Sequence, residues 1–386
     1  MARASGEGTV RKNVQKGRWE GRVTTDYDPE TRKTKRSMVT GKTRGEVLEK
    51  MKELQRQADQ GVSVDKMKMT VDRYLIDWLD NVLPGTVASA TERHYRDNCR
   101  LWISPYIGKI ELTKLRPSDV TKMMQALSTE RGLSPNSVRI ARSTLRRALR
   151  YAERDGIIGN NPAALADGVR MDQKEGRFMP PEMARELLDS LAGTREAALY
   201  TVALTLGLRR GELLGLAWEA IDLDNIRPTM QVVRQLKRGG DRAYLELGEL
   251  KTSKGRRTIH LPAMTAQALR THRAMMAAEK LALGADWKDQ VLGFNLVFRT
   301  PLGTPMDPDN FGARTRKLTT DLFGEAWSPH TMRHSAASLL IAQGVDLKLI
   351  SEVLGHSSIR MTADVYGHLM PDAGHVAADA MDELFS

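Results

Sequence analysis

The stretch HTMRHSAASLLIAQGVDLKLISEVLGHSSIRMTADVY, from His330 to Tyr366, decides how the chain is interpreted. Its apolar residues recur at helical spacing on both sides of Gly344, where the run is broken. Asp346 stands where it can cap a second helix. The pattern therefore predicts a compact pair of helices with polar residues near the helix ends.

Four of those polar residues can act together on a phosphodiester: His330, Arg333, His356 and Tyr366. An arginine can hold two phosphate oxygens, a histidine can transfer protons or donate hydrogen bonds, and a tyrosine hydroxyl can act as a nucleophile. Each residue alone is more often structural than catalytic. Their order, at successive separations of 3, 23 and 10 residues, makes a shared function the better interpretation.

With LGH at 354–356, this segment resembles the second signature of the tyrosine recombinase (phage integrase) family, an HxxR box followed by an LGH box and a nucleophilic tyrosine. The stretch GLRRGELLGLAW, Gly207–Trp218, resembles the first signature, GLRxxE. It lies 124 residues before the HxxR arginine, counted from Arg209 to Arg333. The resemblance implies that Arg209 is a catalytic arginine and that Glu212 supports it. Arg210, its neighbour, is expected to face elsewhere.

The family also places a catalytic lysine on a β-hairpin, and LKTSKGRRTIHLP is the matching stretch. The resemblance favours Lys251, with Lys254 as its rival. A flexible ammonium group can reach and protonate a leaving 5′ oxygen.

The resemblance implies a complete set of roles. Arg209 and Arg333 hold the scissile phosphate, while Tyr366 attacks it and forms a 3′-phosphotyrosyl link. Lys251 protonates the 5′ hydroxyl, His330 assists proton transfer and His356 hydrogen-bonds the phosphate. No cofactor and no metal are expected, because the sequence has neither a GxxxxGK[ST] motif nor a Cys/His set at metal-ligand spacing.

Composition agrees with a DNA-binding protein. The chain has 386 residues, a formal charge of +11 and a pI near 9.7, which favours a polyanionic partner. Cys99 is the only cysteine, so no internal disulfide can form. No apolar run approaches 18 residues, and the sequence predicts a cytoplasmic protein without a membrane partner.

The first predicted domain, residues 1–65, consists of three short strands and one helix. The helix begins with a T-x-x-E capping box at Thr43. The stretch from Val10 to Arg44 has a net charge of +7 and resembles the arm-type DNA-binding domain of many integrases. The DNA-binding residues predicted here are Arg18, Arg22, Lys33, Lys35 and Arg36.

The second predicted domain, residues 66–166, has four helices and resembles the core-binding domain of the family. Its fourth helix begins at Ser134 and Pro135 and separates an apolar face from an arginine stripe. That stripe is a predicted DNA contact, although a solvated face fits equally well; it comprises Arg139, Arg142, Arg146 and Arg150. A linker over 167–178 then leads to the catalytic domain with its C-terminal tail, 179–386. Within these two domains, Pro105 and Gly108 are expected to interrupt the chain after the second helix of the bundle, and Thr194 to cap a helix through Leu206. The stretches Met230 to Leu236 and LVFRT, 296–300, are each predicted to form a strand.

The predicted fold class is therefore α+β and multidomain: a three-stranded sheet plus helix, a four-helix core-binding domain, and a mainly helical catalytic domain with a small antiparallel sheet. The predicted function is site-specific integration and excision of a mobile element, a prophage or an integrative plasmid. Two alternatives share features of the sequence. One is a relaxase like the type IB topoisomerases, and the other is a DNA-binding regulator without catalysis.

The resemblance also implies partners. These are double-stranded attachment sites of core and arm type, a homotetramer on DNA, a host DNA-bending factor and an excisionase. The tail from Pro371 to Ser386 carries four acids, no Lys or Arg, and apolar Val376, Met381, Leu384 and Phe385. It is predicted to dock on a neighbouring subunit, with docking in cis as the alternative.

Overall fold

The computed structural model describes residues 9–28, 33–59, 69–168, 177–239, 244–250, 255–356, 358–360, 363 and 381–385. The chain divides into two compact units, Met1–Gln173 and Lys174–Ser386. This division falls within the predicted linker, 167–178. A further division of the first unit into domains 1–65 and 66–166 remains a prediction.

The first unit begins with an antiparallel sheet in the order β1-β2-β3 and a helix, α1. Their bounds are β1 Thr9–Asn13, β2 Arg18–Asp28, β3 Lys33–Gly41 and α1 Arg44–Asp59. The helix packs on the sheet through Val47 and Met51, which are buried with Val23 of β2. The Thr43 hydroxyl accepts a hydrogen bond from the Glu46 N–H at 3.2 Å, which is one half of the predicted capping box, while the Glu46 carboxylate accepts from the Lys42 N–H at 2.9 Å. The predicted three strands and one helix are confirmed.

A helical bundle follows in the same unit. Its α-helices are α2 Val71–Asp77, α3 Ser89–Asn98, α4 Ser104–Ile107, α5 Pro117–Thr129, α6 Pro135–Arg154 and α7 Pro162–Leu165. Wider π-helical turns, Trp78–Val82 and Cys99–Ile103, extend α2 and α3, and a 3-10 turn spans Leu112–Lys114. The start signal at Ser134 is confirmed, since its hydroxyl accepts the Ser137 amide at 3.2 Å. The core is apolar and includes Trp78, Leu145 and Leu149.

The expected interruption at Pro105 is wrong. The helix that contains Cys99 runs on to Ile107, because the π-helical turn ends with the Ser104 amide bonded to the Cys99 carbonyl. Pro105 lies directly after this wider turn, at the second residue of α4. The structure thus accommodates a proline here without ending the helix.

The second unit is mainly helical. Its helices are α8 Pro181–Ser190, α9 Ala197–Leu206, α10 Arg210–Leu214, α11 Ala263–Leu283, α12 Pro308–Phe323, α13 Pro329–Ala342 and α14 Leu347–Leu354. Short 3-10 turns lie at Trp218–Ala220, Gly284–Asp286 and Asp289–Leu292. The largest buried side chains of its core include Tyr200, Phe298 and Phe311.

The described residues of this unit also form five strands. They are β4 Ile221–Asp222, β5 Thr229–Val232, β6 Arg234–Arg238, β7 Leu245–Glu249 and β8 Arg257–His260. They form two antiparallel sheets, one in the order β4-β5-β8 and one made of β6 and β7. The predicted single strand from Met230 to Leu236 is thus two strands that belong to different sheets.

Two smaller expectations for this unit are also wrong. The segment LVFRT, 296–300, is not a continuous strand and makes only isolated bridges at Leu296 and Arg299. The buried Arg299 side chain instead donates to carbonyls of the loop around this segment. Thr194 does not cap α9: the residue before that helix is Glu196, whose side chain makes no capping hydrogen bond, and the Thr194 hydroxyl donates to the Leu191 carbonyl at 2.7 Å.

Candidate active site

A left-handed turn at Gly207 places the GLRRGE segment. Helix α9 ends there, with φ at 58°. A side chain at this position would approach Leu354 Cδ2 to 2.6 Å and Ala336 Cβ to 3.0 Å. Only glycine allows this conformation so close to α13 and α14. The turn therefore fixes Arg209, which follows two residues later, beside the HxxR helix and the LGH helix.

Arg209 is the residue immediately before α10, and it is held by Glu212 of that helix. Its backbone N–H donates to one Glu212 oxygen at 3.1 Å, and its guanidinium donates to the other at 2.6 Å. A second guanidinium nitrogen donates to the Gly355 carbonyl at 2.9 Å. The side chain stays 42% exposed, so part of the guanidinium faces solvent. Arg210 points away, to the Pro308 carbonyl, as expected.

Arg333 lies in α13 and is only 4% exposed. Its guanidinium donates to the Gly207 carbonyl and to the Leu354 carbonyl, both at 2.7 Å. The two arginines therefore bond to consecutive carbonyls, Leu354 and Gly355, at the end of α14. The structure brings together the arginines of the two predicted boxes, which lie far apart in the sequence.

Three histidines lie in the same region. His330 and His334 are one helical turn apart on α13, with their Nε2 atoms at 3.2 Å and their rings nearly perpendicular. His356 follows the left-handed Gly355, and its backbone N–H donates to the Ser351 carbonyl. These positions put imidazole groups from α13 and from the end of α14 near both arginines.

All three imidazoles are shifted toward the neutral form. Burial lowers the pKa of His330, and Arg333 and Arg209 lower it further. Burial, with His330 and Arg333 nearby, lowers the pKa of His334 to about 4. Burial and the two arginines lower the pKa of His356 to about 4 as well. At neutral pH these side chains are therefore uncharged, and each ring can donate one hydrogen bond and accept another.

Glu212 is the carboxylate at the centre of the site. It is 1% exposed, and burial alone would raise its pKa. Arg257 and Arg209 reverse that effect, so the pKa of Glu212 is lowered and the carboxylate stays ionised. Arg257, at the start of β8, donates to Glu212 Oε2 at 3.0 Å.

Two of the six predicted catalytic residues, Lys251 and Tyr366, lie outside the described residues, as does the rival Lys254. The other four and Glu212 lie together. Among the described residues, no three His, Cys, Asp or Glu side chains are placed to hold a metal ion. Within the same residues, no helix has the length and apolar character needed to cross a membrane.

Sequence reasoning missed Arg257 and His334, although both had a signal. His334 is four residues after His330, so the two share a helix face. In RTIHL, residues 257, 259 and 261 alternate with their neighbours, which places Arg257 on the same strand face as the buried Ile259 and Leu261. An arginine on a buried face needs hydrogen-bond acceptors, and Glu212 supplies one of them.

The predicted DNA-binding side chains are in different situations. In the sheet, Arg18 contacts Glu20 at 3.5 Å and Arg22 is exposed. Lys33, Lys35 and Arg36 fall in β3, outside the side chains that the structure describes.

On α6 the predicted arginine stripe is not uniform. Arg139, Arg146 and Arg150 are exposed. Arg142 instead donates to the carbonyls of Ala163, Ala164 and Ala166, at the end of α7. Its guanidinium is thus engaged within the bundle.

Comparison with known sequences gives matches in both units. Residues 177–372 match the sequence model of the phage integrase family, and residues 70–128 match that of the phage integrase N-terminal SAM-like domain. An integrase from Streptomyces ambofaciens is 29% identical over 399 residues, which cover 99% of this chain and 97% of the relative. A XerC-like tyrosine recombinase from Caldanaerobacter subterraneus subsp. tengcongensis is 30% identical over 397 residues, covering 96% and 98%.

Among solved structures, the Tn1549 transposon integrase in complex with a circular intermediate DNA has a similar fold. The TM-score is 0.69 at 23% identity, and the match covers 82% of this chain and all of the other. This likeness concerns the fold, which is multidomain with helices and small antiparallel sheets, as the sequence predicts.

Proposed function

The chain belongs to the phage integrase family and is a site-specific tyrosine recombinase, and we propose that it integrates and excises a mobile DNA element through a covalent 3′-phosphotyrosyl intermediate. The observation that carries the proposal is the pair of arginines, Arg209 and Arg333, held on adjacent carbonyls beside three neutral histidines. Two guanidiniums in one place suit a phosphodiester, whose charge grows in the pentacoordinate transition state.

The proposed cleavage step exchanges one phosphoester bond for another. The Tyr366 hydroxyl gives its proton to the neutral His330 imidazole and attacks the scissile phosphorus, and the bond from phosphorus to the 5′ oxygen breaks. Lys251 supplies a proton to that oxygen, so the leaving group departs as a 5′ hydroxyl. His330 assists the proton transfers, and His356 donates a hydrogen bond to a phosphate oxygen. The reverse reaction, with a 5′ hydroxyl from another strand, completes strand exchange.

Neutral histidines fit these roles. An uncharged imidazole can accept a proton from a hydroxyl, whereas imidazolium cannot. Burial and the two arginines keep His330 and His356 in that form at neutral pH. The arginines then carry the positive charge of the site, and the imidazoles carry its proton chemistry.

We assign the basic N-terminal sheet to arm-type sites and the helical bundle to core sites. Strand exchange between two DNA sites needs four active subunits, and we propose a homotetramer joined through the C-terminal tail. Residues 381–385 are helical, and Met381, Leu384 and Phe385 are exposed there, which suits docking on another subunit. Relatives named as integrases support the assignment to a mobile element.

The test is a nicked suicide duplex that carries the candidate core site, incubated with the wild type and with Tyr366→Phe in EDTA and read on a denaturing gel. We expect a covalent protein–DNA band for the wild type alone, while both proteins shift the duplex equally on a native gel. Equal binding without any covalent band would contradict the proposal and favour a DNA-binding regulator. A covalent band that persists in Tyr366→Phe would overturn the assignment of the nucleophile.

A further inference from the structure

Arg257 contacts three separate elements of the active site. Its side chain is 8% exposed. One guanidinium nitrogen donates to Glu212 Oε2 at 3.0 Å, another to the Val353 carbonyl of α14 at 2.6 Å, and the third to the Gly255 carbonyl at 2.9 Å. The guanidinium thus lies between the GLRRGE segment, the LGH segment and the start of β8.

The packing around this guanidinium is tight. A side chain at Gly355 would approach an Arg257 terminal nitrogen to 2.7 Å and the guanidinium carbon to 3.0 Å. Gly355 also has a φ of 66°, which favours glycine. The glycine of the LGH box therefore leaves room for Arg257, and the position of the guanidinium is fixed from two sides.

Arg209, Glu212 and Arg257 form a charge cluster, in which Arg257 contributes more than packing. Glu212 is buried and ionised, and its two oxygens are divided between two arginines: Oε1 accepts from Arg209, and Oε2 accepts from Arg257. Without Arg257, the Arg209–Glu212 pair would have a net charge near zero. With Arg257, the three groups carry one net positive charge. Arg209 is the exposed member, so that charge faces solvent where a phosphate would bind.

We propose that Arg257 is a positioning residue that balances the charge of Glu212 and so leaves Arg209 a full positive charge for the scissile phosphate. This rests on the proposed function, because it assumes that Arg209 meets that phosphate. Glu212 fixes the direction of the Arg209 guanidinium, and Arg257 removes the electrostatic cost of that carboxylate. In this proposal Arg257 acts through Glu212 and Arg209 and not on the phosphate itself.

The experiment measures single-turnover cleavage of the suicide duplex by four proteins: wild type, Arg257→Gln, the double variant Glu212→Gln/Arg257→Gln, and Arg256→Gln. The single variant lowers the net charge of the cluster by one, and we expect cleavage to fall roughly 10²-fold with DNA binding unchanged. The double variant removes both buried charges and restores the wild-type net charge. We expect it to cleave at least about tenfold faster than the single variant.

Arg256→Gln is the matched control. Arg256 is the preceding residue, its side chain is 56% exposed, and it pairs with Glu249 at 3.1 Å, away from Glu212. Its replacement removes the same charge from the protein and should leave cleavage unchanged.

A second substrate distinguishes a loss of positive charge at Arg209 from a general distortion of the active site by Arg257→Gln. A methylphosphonate at the scissile position lacks the negative charge that Arg209 would meet. We expect the loss caused by Arg257→Gln to shrink at least about tenfold on this substrate. An equal loss on both substrates, or a double variant no faster than the single one, would overturn the charge-balancing role.

The design also separates this inference from the proposed function. If the wild type forms no covalent band, the proposed function fails. If the wild type cleaves and Arg257→Gln stays within about threefold of it, only the role of Arg257 fails. Should Arg257→Gln not fold, Arg257→Lys keeps the charge without the planar fork of donors. It should cleave within about tenfold of wild type, and a loss near 10²-fold would contradict the proposal.

Discussion

The helical bundle and the second unit, Lys174–Ser386, bury different kinds of polar side chain. The second unit contains the active site and is called the catalytic unit below. In the described part of the bundle, residues 69–168, the buried polar side chains are neutral. Asn98 donates to the Thr144 hydroxyl at 2.9 Å, and Asn161 donates to the Arg146 carbonyl at 2.9 Å. The catalytic unit instead buries charged side chains, namely Glu212, Arg299 and Arg333. Burying a charged side chain costs far more desolvation free energy than burying an amide. The catalytic unit therefore has a larger desolvation cost than the bundle.

Not every buried charge in that unit belongs to the site. Arg299 is 1% exposed and donates to four backbone carbonyls, those of Leu296, Asp289, Gly303 and Phe294. Its contacts close a loop, and they resemble the role of Arg142 in the bundle. Arg333 also donates to carbonyls, but those carbonyls lie at Gly207 and Leu354, beside Arg209 and His356. The location of a buried arginine, rather than its burial, distinguishes structure from chemistry.

The strongest test of that distinction replaces each buried arginine in turn. We expect Arg333→Gln to lower cleavage roughly 10²- to 10³-fold, about 3–4 kcal/mol in the barrier, because a phosphate-binding group is lost. Arg299→Met should instead lower the free energy of unfolding by about 3 kcal/mol, because it leaves buried carbonyls without donors. Urea titrations and single-turnover cleavage on the same preparations measure both quantities.

The distinction between a structural Arg299 and a catalytic Arg333 fails if each variant shows the effect expected of the other. A folded Arg299→Met protein with a cleavage defect as large as that of Arg333→Gln would mean that the Arg299 loop also shapes the site. A wild-type cleavage rate in Arg333→Gln would remove Arg333 from the site altogether.

How far the sequence could predict the molecule depended on whether a feature is local. Helices with strong start signals, such as those at Thr43, Ser134 and Asp346, were predicted because caps and apolar spacing lie within a few residues. The strands of the catalytic unit were predicted less well. Residues 230–236 read as one β-rich run, and tertiary pairing with different partners divides them.

The site followed the same rule. The residues that match the two family boxes lie together where the structure describes them, since short motifs carry their own spacing. Arg257 was missed because its role is evident only from its contact with Glu212, which lies 45 residues earlier and in another element. The internal contacts of Arg142 were missed for a similar reason: its helical spacing fits the stripe, but its carbonyl partners are more than 20 residues further along the chain.

A smaller effect is expected within the arginine stripe of α6. Arg142→Ala should lower the free energy of unfolding by about 1–3 kcal/mol and leave DNA affinity unchanged, since its guanidinium donates to the carbonyls at the end of α7.

Arg150 lies two turns further along the helix, is exposed, and lines a basic hollow with Arg147, Tyr151 and Arg154. Arg150→Ala should leave stability unchanged, weaken DNA binding, and reduce the salt slope by about 1. Urea titrations and binding at several salt concentrations measure the two variants side by side. If Arg142→Ala weakened DNA binding as much as Arg150→Ala, both arginines would belong to the DNA surface.

The smallest expected effect is a loss of stability in acid that belongs to the catalytic unit. The pKa values of His334 and His356 are about 4 in the folded chain, below the ordinary value of 6.5. The unfolded chain therefore binds protons that the folded chain does not as pH falls from about 6.5 toward 4, and stability is lost across that window. At pH 5 the loss is about 1 kcal/mol for each histidine, after allowance for partial solvent exposure.

The bundle should not share this loss through its buried groups. Its buried amides and hydroxyls do not titrate there, and burial raises the pKa of Cys99 to about 12. We expect hydrogen exchange at pH 5 to rise first in the catalytic unit. Urea titrations of His334→Gln and His356→Gln should show a smaller difference between pH 7 and pH 5 than the wild type. An unchanged difference in both variants would mean that the acid sensitivity arises from groups other than His334 and His356. The burial of these two histidines beside the arginines would then not lower the stability of the catalytic unit in acid.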